Sequence, residues 1–188
     1  MGKVYAELDE RLRNFISRQP VFFVATAPCL TPDGEGGHVN LSPKGLDTFA
    51  VLDRTTIAYL DLTGSGVETI AHLRDNGRIT IMFCAFDGKP NILRLYGRGE
   101  VLAIGQPEAD ELMPRFGTYP GARSVIRVRV DRVSTSCGYG VPRFSYEGER
   151  DQLTAWADRR GPDGLVEYRE EKNAVSIDGL PGLAGADS

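Results

Sequence analysis

Two short stretches of the chain combine hydroxyl, glycine and cationic residues in a way that suits anion binding. Residues 42–44 read Ser-Pro-Lys and look like a turn between two hydrophobic alternations, while residues 63–66 read Thr-Gly-Ser-Gly and precede a helical pattern that carries Thr69. A helix N-terminus offers unpaired N–H groups, and glycines let a phosphate approach the backbone. A lysine from a neighbouring turn would supply the counter-charge. Together these residues predict a site for a phosphate monoester.

Each of these features also has an ordinary explanation. Ser-Pro-Lys suits a solvated turn with a surface lysine, and Gly-Ser-Gly suits a plain helix cap, since a P-loop would carry its lysine inside the loop. A third feature is a set of arginines on predicted strands, and such residues commonly form a solvated face or ion pairs. They are Arg78, Arg94, Arg127 and Arg129. Residue chemistry alone therefore leaves both interpretations open.

Histidine and cysteine indicate neither a metal site nor a catalytic group. The chain has two histidines and three widely spaced cysteines without a CxxC pair, which indicates reduced thiols and a cytoplasmic protein. His38 stands at a strand start, where it would either donate a proton to a ligand or serve as a structural hydrogen-bond partner. Cys137 has no charged partner in the sequence, and we expect an unreactive thiol. No catalytic residue is assigned.

Composition excludes several classes of protein. With 188 residues, 41% of them hydrophobic and 26% charged, the chain suits one domain with a substantial core. Its net charge of −4 argues against nucleic-acid binding, which would need a basic face. No stretch approaches the roughly 18 apolar residues of a membrane span, and the charged N-terminus lacks a secretory core.

The hydrophobic periodicity predicts strands joined by short turns, with helices inserted between them. Helices are predicted over 4–17, between an N-cap at Ser65 and a stop at Gly77, and over 107–116, 149–160 and 163–172. Strands are predicted over 21–27, 38–41, 47–52, 56–62, 78–86, 92–104 and 122–136. This order predicts a closed or nearly closed antiparallel barrel rather than a βαβ sheet. The tail after Leu183 is predicted to be poorly ordered.

The order of these elements resembles that of a known family. A strand, Ser-Pro-Lys-Gly, a second strand ending in "AYLDL", a Gly-Ser-Gly helix, "NGRITIMF" and "LYGRGEVL" are similar to the pyridoxamine 5′-phosphate oxidase-like family of FMN-binding split barrels. The resemblance covers residues 1 to about 135, and the closing segment looks like the tail of an uncharacterised branch. It implies a mainly β, α+β fold with a six-stranded antiparallel split barrel and flanking helices over 1–136. Residues 137–188 would then form a helical extension that packs on the barrel or on a dimer partner.

The resemblance also implies a homodimer with FMN in clefts between the subunits. Its first flavin-contacting segment corresponds to Val39, Asn40, Leu41, Ser42 and Lys44, and its second to Tyr59, Leu60 and Asp61. Its phosphate loop corresponds to Ser65, Gly66 and Thr69. In this family the basic residue that ends the first segment meets the phosphate, so the resemblance assigns that role to Lys44.

Two departures from the family pattern change the expected activity. The oxidase proper has an Arg-Lys pair after its loop serine, where this chain has Gly66-Val67. It also ends in a Trp strand and an Arg-Leu-x-Pro signature, whereas Trp156 lies in a predicted helix, so oxidation of vitamin B6 is not expected. The prediction is an FMN-dependent oxidoreductase that transfers a hydride to or from an unknown small molecule. The alternatives are a deazaflavin-dependent reductase, a non-catalytic flavin-binding protein and, less favoured with only two histidines, a heme-binding relative.

Overall fold

The computed structural model describes residues 2–183. These residues form a single antiparallel sheet with four helices. Its strands are β1 (Lys3–Tyr5), β2 (Phe22–Thr26), β3 (Asn40–Lys44), β4 (Phe49–Val51), β5 (Thr56–Leu62), β6 (Arg78–Cys84), β7 (Ile92–Ala103) and β8 (Ala122–Ser136). The helices are α1 (Glu10–Ile16), α2 (Glu68–Asn76), α3 (Pro107–Leu112) and α4 (Gln152–Lys172), with a 3₁₀ turn at Met113–Arg115. The predicted antiparallel α+β fold is confirmed, with eight strands in place of six.

The sheet curls so that strands far apart in its order face each other. The order is β3-β2-β6-β7-β8-β5-β4, with β1 paired to β8, so β3 and β4 are edges. Phe22 of β2 and Tyr59 of β5 nevertheless lie with ring centroids 5.6 Å apart. Both belong to one buried core that also contains Leu12, Ile81 and Val128. Alternation of buried and exposed side chains along β2 directs one face of the strand into this core.

The N-terminal helix is shorter than its hydrophobic pattern predicts. Residues 3–5 pair with β8, and Tyr5 lies opposite Val133. The helix begins only after Asp9, whose carboxylate accepts a 2.8 Å hydrogen bond from the Leu12 N–H, as an N-cap residue should. The prediction of a helix over 4–17 is therefore wrong for residues 4–9, because the helix is Glu10–Ile16.

The proline of Ser-Pro-Lys lies inside a strand and not in a turn. β3 pairs with β2 from Asn40 to Lys44, and Pro43 lies opposite Phe23. The turn follows over residues 45–48, where Leu46 has a positive φ of 61°. Proline is tolerated on an edge strand because one side of the strand has no ladder to complete. This corrects the predicted strand end at residue 41.

The C-terminal part packs back on the sheet. α4 is broken at Gly161, which has φ 67° and ψ 173°, in agreement with the two predicted helices. Residues 173–183 then form what we call the C-terminal hairpin, in which Gly182 donates to the Ala174 carbonyl over 2.8 Å. Leu183 packs against the main core. The predicted disorder after Leu183 lies outside the described residues, and none of the helices within 2–183 is long and apolar enough to cross a membrane.

Candidate functional site

The first predicted segment is an edge strand whose two faces differ. The side chains of Asn40, Ser42 and Lys44 are half-buried, while Val39 and Leu41 are exposed by 74% and 63%. The Asn40 side-chain amide donates to the Thr69 hydroxyl of α2 over 3.0 Å, and the Ser42 hydroxyl donates to the side-chain Oδ1 of Asn40 over 3.1 Å. The polar face of β3 is thereby joined to the first turn of α2.

Lys44 reaches across the gap between β3 and β5. Its Nζ lies 3.3 Å from Oδ1 of Asp61, and Asp61 Oδ2 accepts from Arg123 Nε over 2.5 Å. Burial alone would raise the pKa of the Asp61 carboxyl, but the two cations outweigh burial and the pKa lies below its usual value. The cluster carries two positive charges and one negative charge, so it leaves a net positive charge beside the loop at residues 63–66.

Tyr59 and Leu60, which complete the second predicted segment, turn their side chains into two separate hydrophobic clusters. Tyr59 lies in the main core, where burial raises the pKa of its hydroxyl well above the usual value. Leu60 packs with Phe116 and Val125 on the opposite face of β5. Asp61 is therefore the residue of this segment that brings a side chain to the polar cluster.

The loop before α2 is exposed to solvent on one side, and buried side chains donate hydrogen bonds to it on the other side. Ser65 and Gly66 are exposed, whereas Thr69 is buried. The predicted N-cap at Ser65 is wrong, because the N-cap position is Val67 and no side chain caps the helix. Gly77 ends α2 as predicted, with φ 71° and its N–H donating to the Leu73 carbonyl.

The residues that hold the loop from behind are three that the sequence did not single out. Arg123 Nη2 donates to the Gly66 carbonyl over 2.9 Å, and Asn173 Nδ2 donates to the Gly64 and Ser65 carbonyls over 2.9 and 3.3 Å. Arg169 Nε donates to the Thr63 hydroxyl over 2.8 Å. Burial is the main reason why the pKa of Arg169 is lowered, and repulsion from Arg123 lowers it further.

Arg123 enters the site because β8 is irregular at that point. Asp61 pairs with Ser124, but the next pair joins Leu62 to Ala122, so Arg123 has no residue opposite it on β5. Such a bulge redirects a side chain. The simple alternation that draws attention to Arg127 and Arg129 does not reveal the bulge, and a lone asparagine after a helix, as at residue 173, gives no signal at all.

The arginines that the sequence did single out lie elsewhere. Arg127 pairs with Glu100 on the sheet surface, and Arg94 donates to the Ser136 hydroxyl. Arg78 donates to the Asn76 side chain and the Pro28 carbonyl. Arg129 is exposed. None of these contacts reaches the loop at residues 63–66.

His38 and Cys137 also have defined environments. His38 donates through its backbone N–H to Asp178 Oδ2 over 2.8 Å, and its Nδ1 lies 2.6 Å from Asp178 Oδ1. The hydrogen bond to Asp178 raises the pKa of His38. His38 is therefore the point at which the C-terminal hairpin meets the start of β3. The Cys137 thiol is free and exposed, and no group of three potential metal ligands occurs within residues 2–183.

Comparison with known proteins assigns first the fold and then the family. A solved structure from Lactobacillus delbrueckii, described as a candidate pyridoxamine 5′-phosphate oxidase, aligns with a TM-score of 0.50 and 19% identity, over 69% of this chain and 94% of that chain. This likeness concerns the fold, and it identifies the curled sheet as a split barrel.

Sequence similarity goes further than the fold. The family profile named pyridoxamine 5′-phosphate oxidase matches residues 8–137. A protein of Aspergillus flavus, pyridoxamine 5′-phosphate oxidase family protein ustO, is 42% identical over 201 residues, which cover 97% of this chain and 78% of that protein. The chain belongs to the pyridoxamine 5′-phosphate oxidase family. The profile ends at residue 137, so Arg169 and Asn173 lie beyond the part that defines the family.

Proposed function

We propose that this protein is an FMN-binding oxidoreductase that transfers a hydride between the flavin and a small organic molecule. One observation carries the proposal within this family. The polar face of β3 and the first turn of α2 are joined by the Asn40–Thr69 hydrogen bond, beside the exposed loop residues Ser65 and Gly66. Donor groups for a phosphate and an edge strand for a ring system therefore lie side by side.

The residues at this place fit the phosphate of FMN. The first N–H groups of a nine-residue helix have no partner within the helix and carry a partial positive charge. The Thr69 hydroxyl adds a donor at the same turn. The net positive charge of the Lys44–Asp61–Arg123 cluster offsets the absence of the family's Arg-Lys pair from the loop.

The residues also fit the isoalloxazine ring. Leu41 of β3 and Val39, which directly precedes the strand, present exposed apolar side chains, and a planar aromatic system gains free energy by covering such side chains. Both residues flank Asn40, which reaches the phosphate side of the strand. The ring and phosphate ends of one ligand would thus be held by neighbouring residues of β3.

The chain supplies binding and orientation, while FMN would supply the redox chemistry by accepting or donating a hydride at its N5 position. Lys44 would neutralise phosphate charge, Asn40 would hold Thr69 in place, and backbone groups of β3 would orient the ring. His38, the histidine nearest this strand in sequence, is bonded to Asp178. We therefore assign no general acid or base.

We propose further that the protein acts as a homodimer whose second subunit covers the exposed face of β3. Leu41 lies on an edge strand and Val39 directly precedes that strand, and one barrel covers a ring placed there from one side only. In this proposal residues 1–136 form the flavin-binding barrel. The extension over 137–188 supports it, with its hairpin packed against α2.

Binding of FMN and riboflavin to the apoprotein tests the proposal. We expect a bound flavin spectrum and much tighter binding of FMN than of riboflavin, because riboflavin lacks the phosphate. Anaerobic mixing of the loaded protein with reduced nicotinamides and other hydride donors should bleach the flavin faster than the same donors bleach free FMN. Absence of flavin binding would overturn the proposal. Bleaching no faster than that of free FMN would favour the non-catalytic flavin-binding alternative.

A further inference from the structure

The loop that precedes α2 has an unusual backbone orientation. The carbonyls of Gly64, Ser65 and Gly66 all accept hydrogen bonds from the interior, the first two from Asn173 and the third from Arg123. The chain contains no cis peptide bond among residues 2–183. In a planar trans peptide the N–H points opposite to the carbonyl of the preceding residue. Holding three successive carbonyls inward therefore turns three successive N–H groups outward.

These N–H groups belong to Ser65, Gly66 and Val67, and they face away from Asn173 and Arg123. Ser65 and Gly66 are exposed, so a ligand can reach their side of the loop from solvent, where the Glu68 carboxylate is the neighbouring side chain at Gly66. A run of N–H groups that point to one side forms a concave anion-binding nest. The nest continues into the N-terminus of α2, where further N–H groups are free.

Asn173 has the geometry of a residue built to hold this loop. It is fully buried, its Oδ1 accepts from Arg123 Nη1 over 2.9 Å, and its Nδ2 serves the two loop carbonyls. Both ends of the amide are used, which is the arrangement that a buried asparagine needs. Its own backbone is fixed by the bond from its N–H to the Arg169 carbonyl and by the bond from Leu183 N–H to its carbonyl, 2.8 and 2.7 Å.

We propose that Asn173 is a positioning residue for phosphate recognition: it fixes the peptide planes of residues 64–67 so that their N–H groups face the phosphate. The inference rests on the proposed function, since it assigns the nest to the phosphate of FMN. It deepens that proposal by placing a determinant of ligand specificity in the C-terminal extension, outside the matched family segment at 8–137. The extension then takes over a task that the family's Arg-Lys pair performs by charge.

The experiment compares FMN and riboflavin affinities in the full chain of three proteins. Asn173→Ala removes both donations to the loop, and Val175→Thr is the control, because Val175 lies in the same hairpin and is exposed. We expect the riboflavin-to-FMN ratio of dissociation constants to fall about tenfold in Asn173→Ala, the effect of one or two ordinary hydrogen bonds. The control should keep the wild-type ratio. General destabilisation would weaken both ligands together and leave the ratio unchanged.

Asn173→Ala also removes the oxygen that accepts a hydrogen bond from Arg123, so a second variant is needed to separate the two effects. Asn173→Asp keeps an oxygen for Arg123 but replaces the donor to Gly64 and Ser65 with an acceptor. The ratio should fall here as well, and it should stay low in about 1 M salt, where the Debye length of about 3 Å screens the added charge. A wild-type ratio near one would overturn the phosphate site itself. A high wild-type ratio that neither variant lowers would overturn only the role of Asn173.

Discussion

At the scale of single residues, the charged cluster of Lys44, Asp61 and Arg123 depends on its one carboxylate. Asp61 is buried between Lys44 and Arg123, so its single carboxylate is the counter-charge that both cations share. Removing one member of such a group leaves buried charge without a partner, which costs more than the intact group contributes. Asp61 should therefore matter to folding before it matters to any ligand.

Asp61→Asn should lower the free energy of unfolding by about 3–5 kcal/mol, because it leaves Arg123 and Lys44 without their counter-charge. Urea denaturation followed by tryptophan fluorescence or circular dichroism would measure it. Asp131→Asn, at an exposed position of the same strand β8, is the matched control and should change little. A loss of less than 1 kcal/mol for Asp61→Asn would contradict this account of the cluster.

The same carboxylate should make stability depend on acidity. Its pKa is lower in the folded protein than in the unfolded chain, so its contribution is present above the unfolded value of about 3.9 and disappears as the pH falls through the folded value. Wild-type stability should therefore decline more steeply below about pH 4 than that of Asp61→Asn. Unfolding midpoints measured from pH 7 to pH 3 test this, and parallel declines would count against it.

Lys44→Ala should weaken FMN binding by about 1.5–3 kcal/mol, the usual loss when a charge-assisted contact is removed. Riboflavin binding should change much less, because riboflavin has no phosphate. Isothermal titration of the apoprotein with both ligands measures the difference. An unchanged FMN affinity would reduce the role of Lys44 to pairing with Asp61.

Glu68 places an acidic side chain against the loop. Its carboxylate accepts from Ile177 N–H over 3.4 Å and lies directly over Gly66, where it suits the positive end of the helix but repels a bound phosphate. Glu68→Gln should tighten FMN binding a few-fold, about 0.5–1 kcal/mol for a charge at a helix terminus, and leave riboflavin unaffected. Weaker FMN binding would show that the carboxylate helps to shape the loop instead.

At the scale of elements, the C-terminal hairpin ties two separate parts of the barrel. Asp178 binds the start of β3 through His38, while Asn173 binds the loop before α2. The hydrogen bond between His38 and Asp178 raises the pKa of His38 and lowers the pKa of Asp178. The ionic form of the pair thus adds stability below the unfolded histidine value of about 6.5, and that contribution disappears as the pH rises through the folded value.

Hydrogen exchange can follow this attachment directly. Amides of residues 176–182 should exchange faster, after correction for the intrinsic pH effect, as the pH rises from about 6 to 9, because neutral His38 binds Asp178 less tightly. Asp178→Asn should abolish that dependence while leaving the core amides unchanged. A corrected exchange rate that does not vary with pH would mean that the ion pair does not hold the hairpin.

The sequence predicts most helices and strands, and it fails where contacts between distant parts of the chain decide where an element begins or ends. Hydrophobic alternation locates β5 and β8 to the residue, because both strands bury their inward side chains. The same method ends β3 too early, since local preference places Pro43 in a turn whereas pairing with Phe23 keeps it in a strand. Ser65 satisfies the rule for an N-cap, yet the loop carbonyls are held by Arg123 and Asn173 and the helix begins two residues later.

The candidate site shows the same division. The resemblance indicates which segments meet, and the structure brings Asn40 to Thr69 and Lys44 to Asp61. It cannot indicate Arg123, whose entry depends on a bulge that leaves no mark in a hydrophobic pattern. Asn173 is 109 residues from Gly64, which its side chain contacts, and no local rule relates positions so far apart.

At the scale of the whole molecule, the proposed flavin site would be completed by a second subunit. We expect a homodimer that buries roughly 2,000 Å² or more, the range of permanent assemblies, and covers β3. Light scattering at micromolar concentration should give twice the mass of one chain. A monomer with full flavin occupancy would contradict the shared cleft.

Mixed dimers test whether one cleft uses residues of both chains. A dimer of one Lys44→Ala chain and one chain altered in the 137–142 loop should have one intact site of two if that loop acts across the interface. Random pairing makes about half of the dimers mixed, so flavin titration of the mixture would recover about a quarter of the wild-type occupancy. No recovery would place the loop on its own barrel.

Pro43 has a consequence for solubility. β3 is an edge strand with unpaired backbone groups, an exposed leucine and an exposed valine just before it, and such an edge can recruit further strands from other molecules. A proline in the middle of such a strand removes a donor that a continuing ladder would need. We expect the residue that resembles a turn signal to oppose the growth of β-aggregates from this edge for as long as nothing covers it.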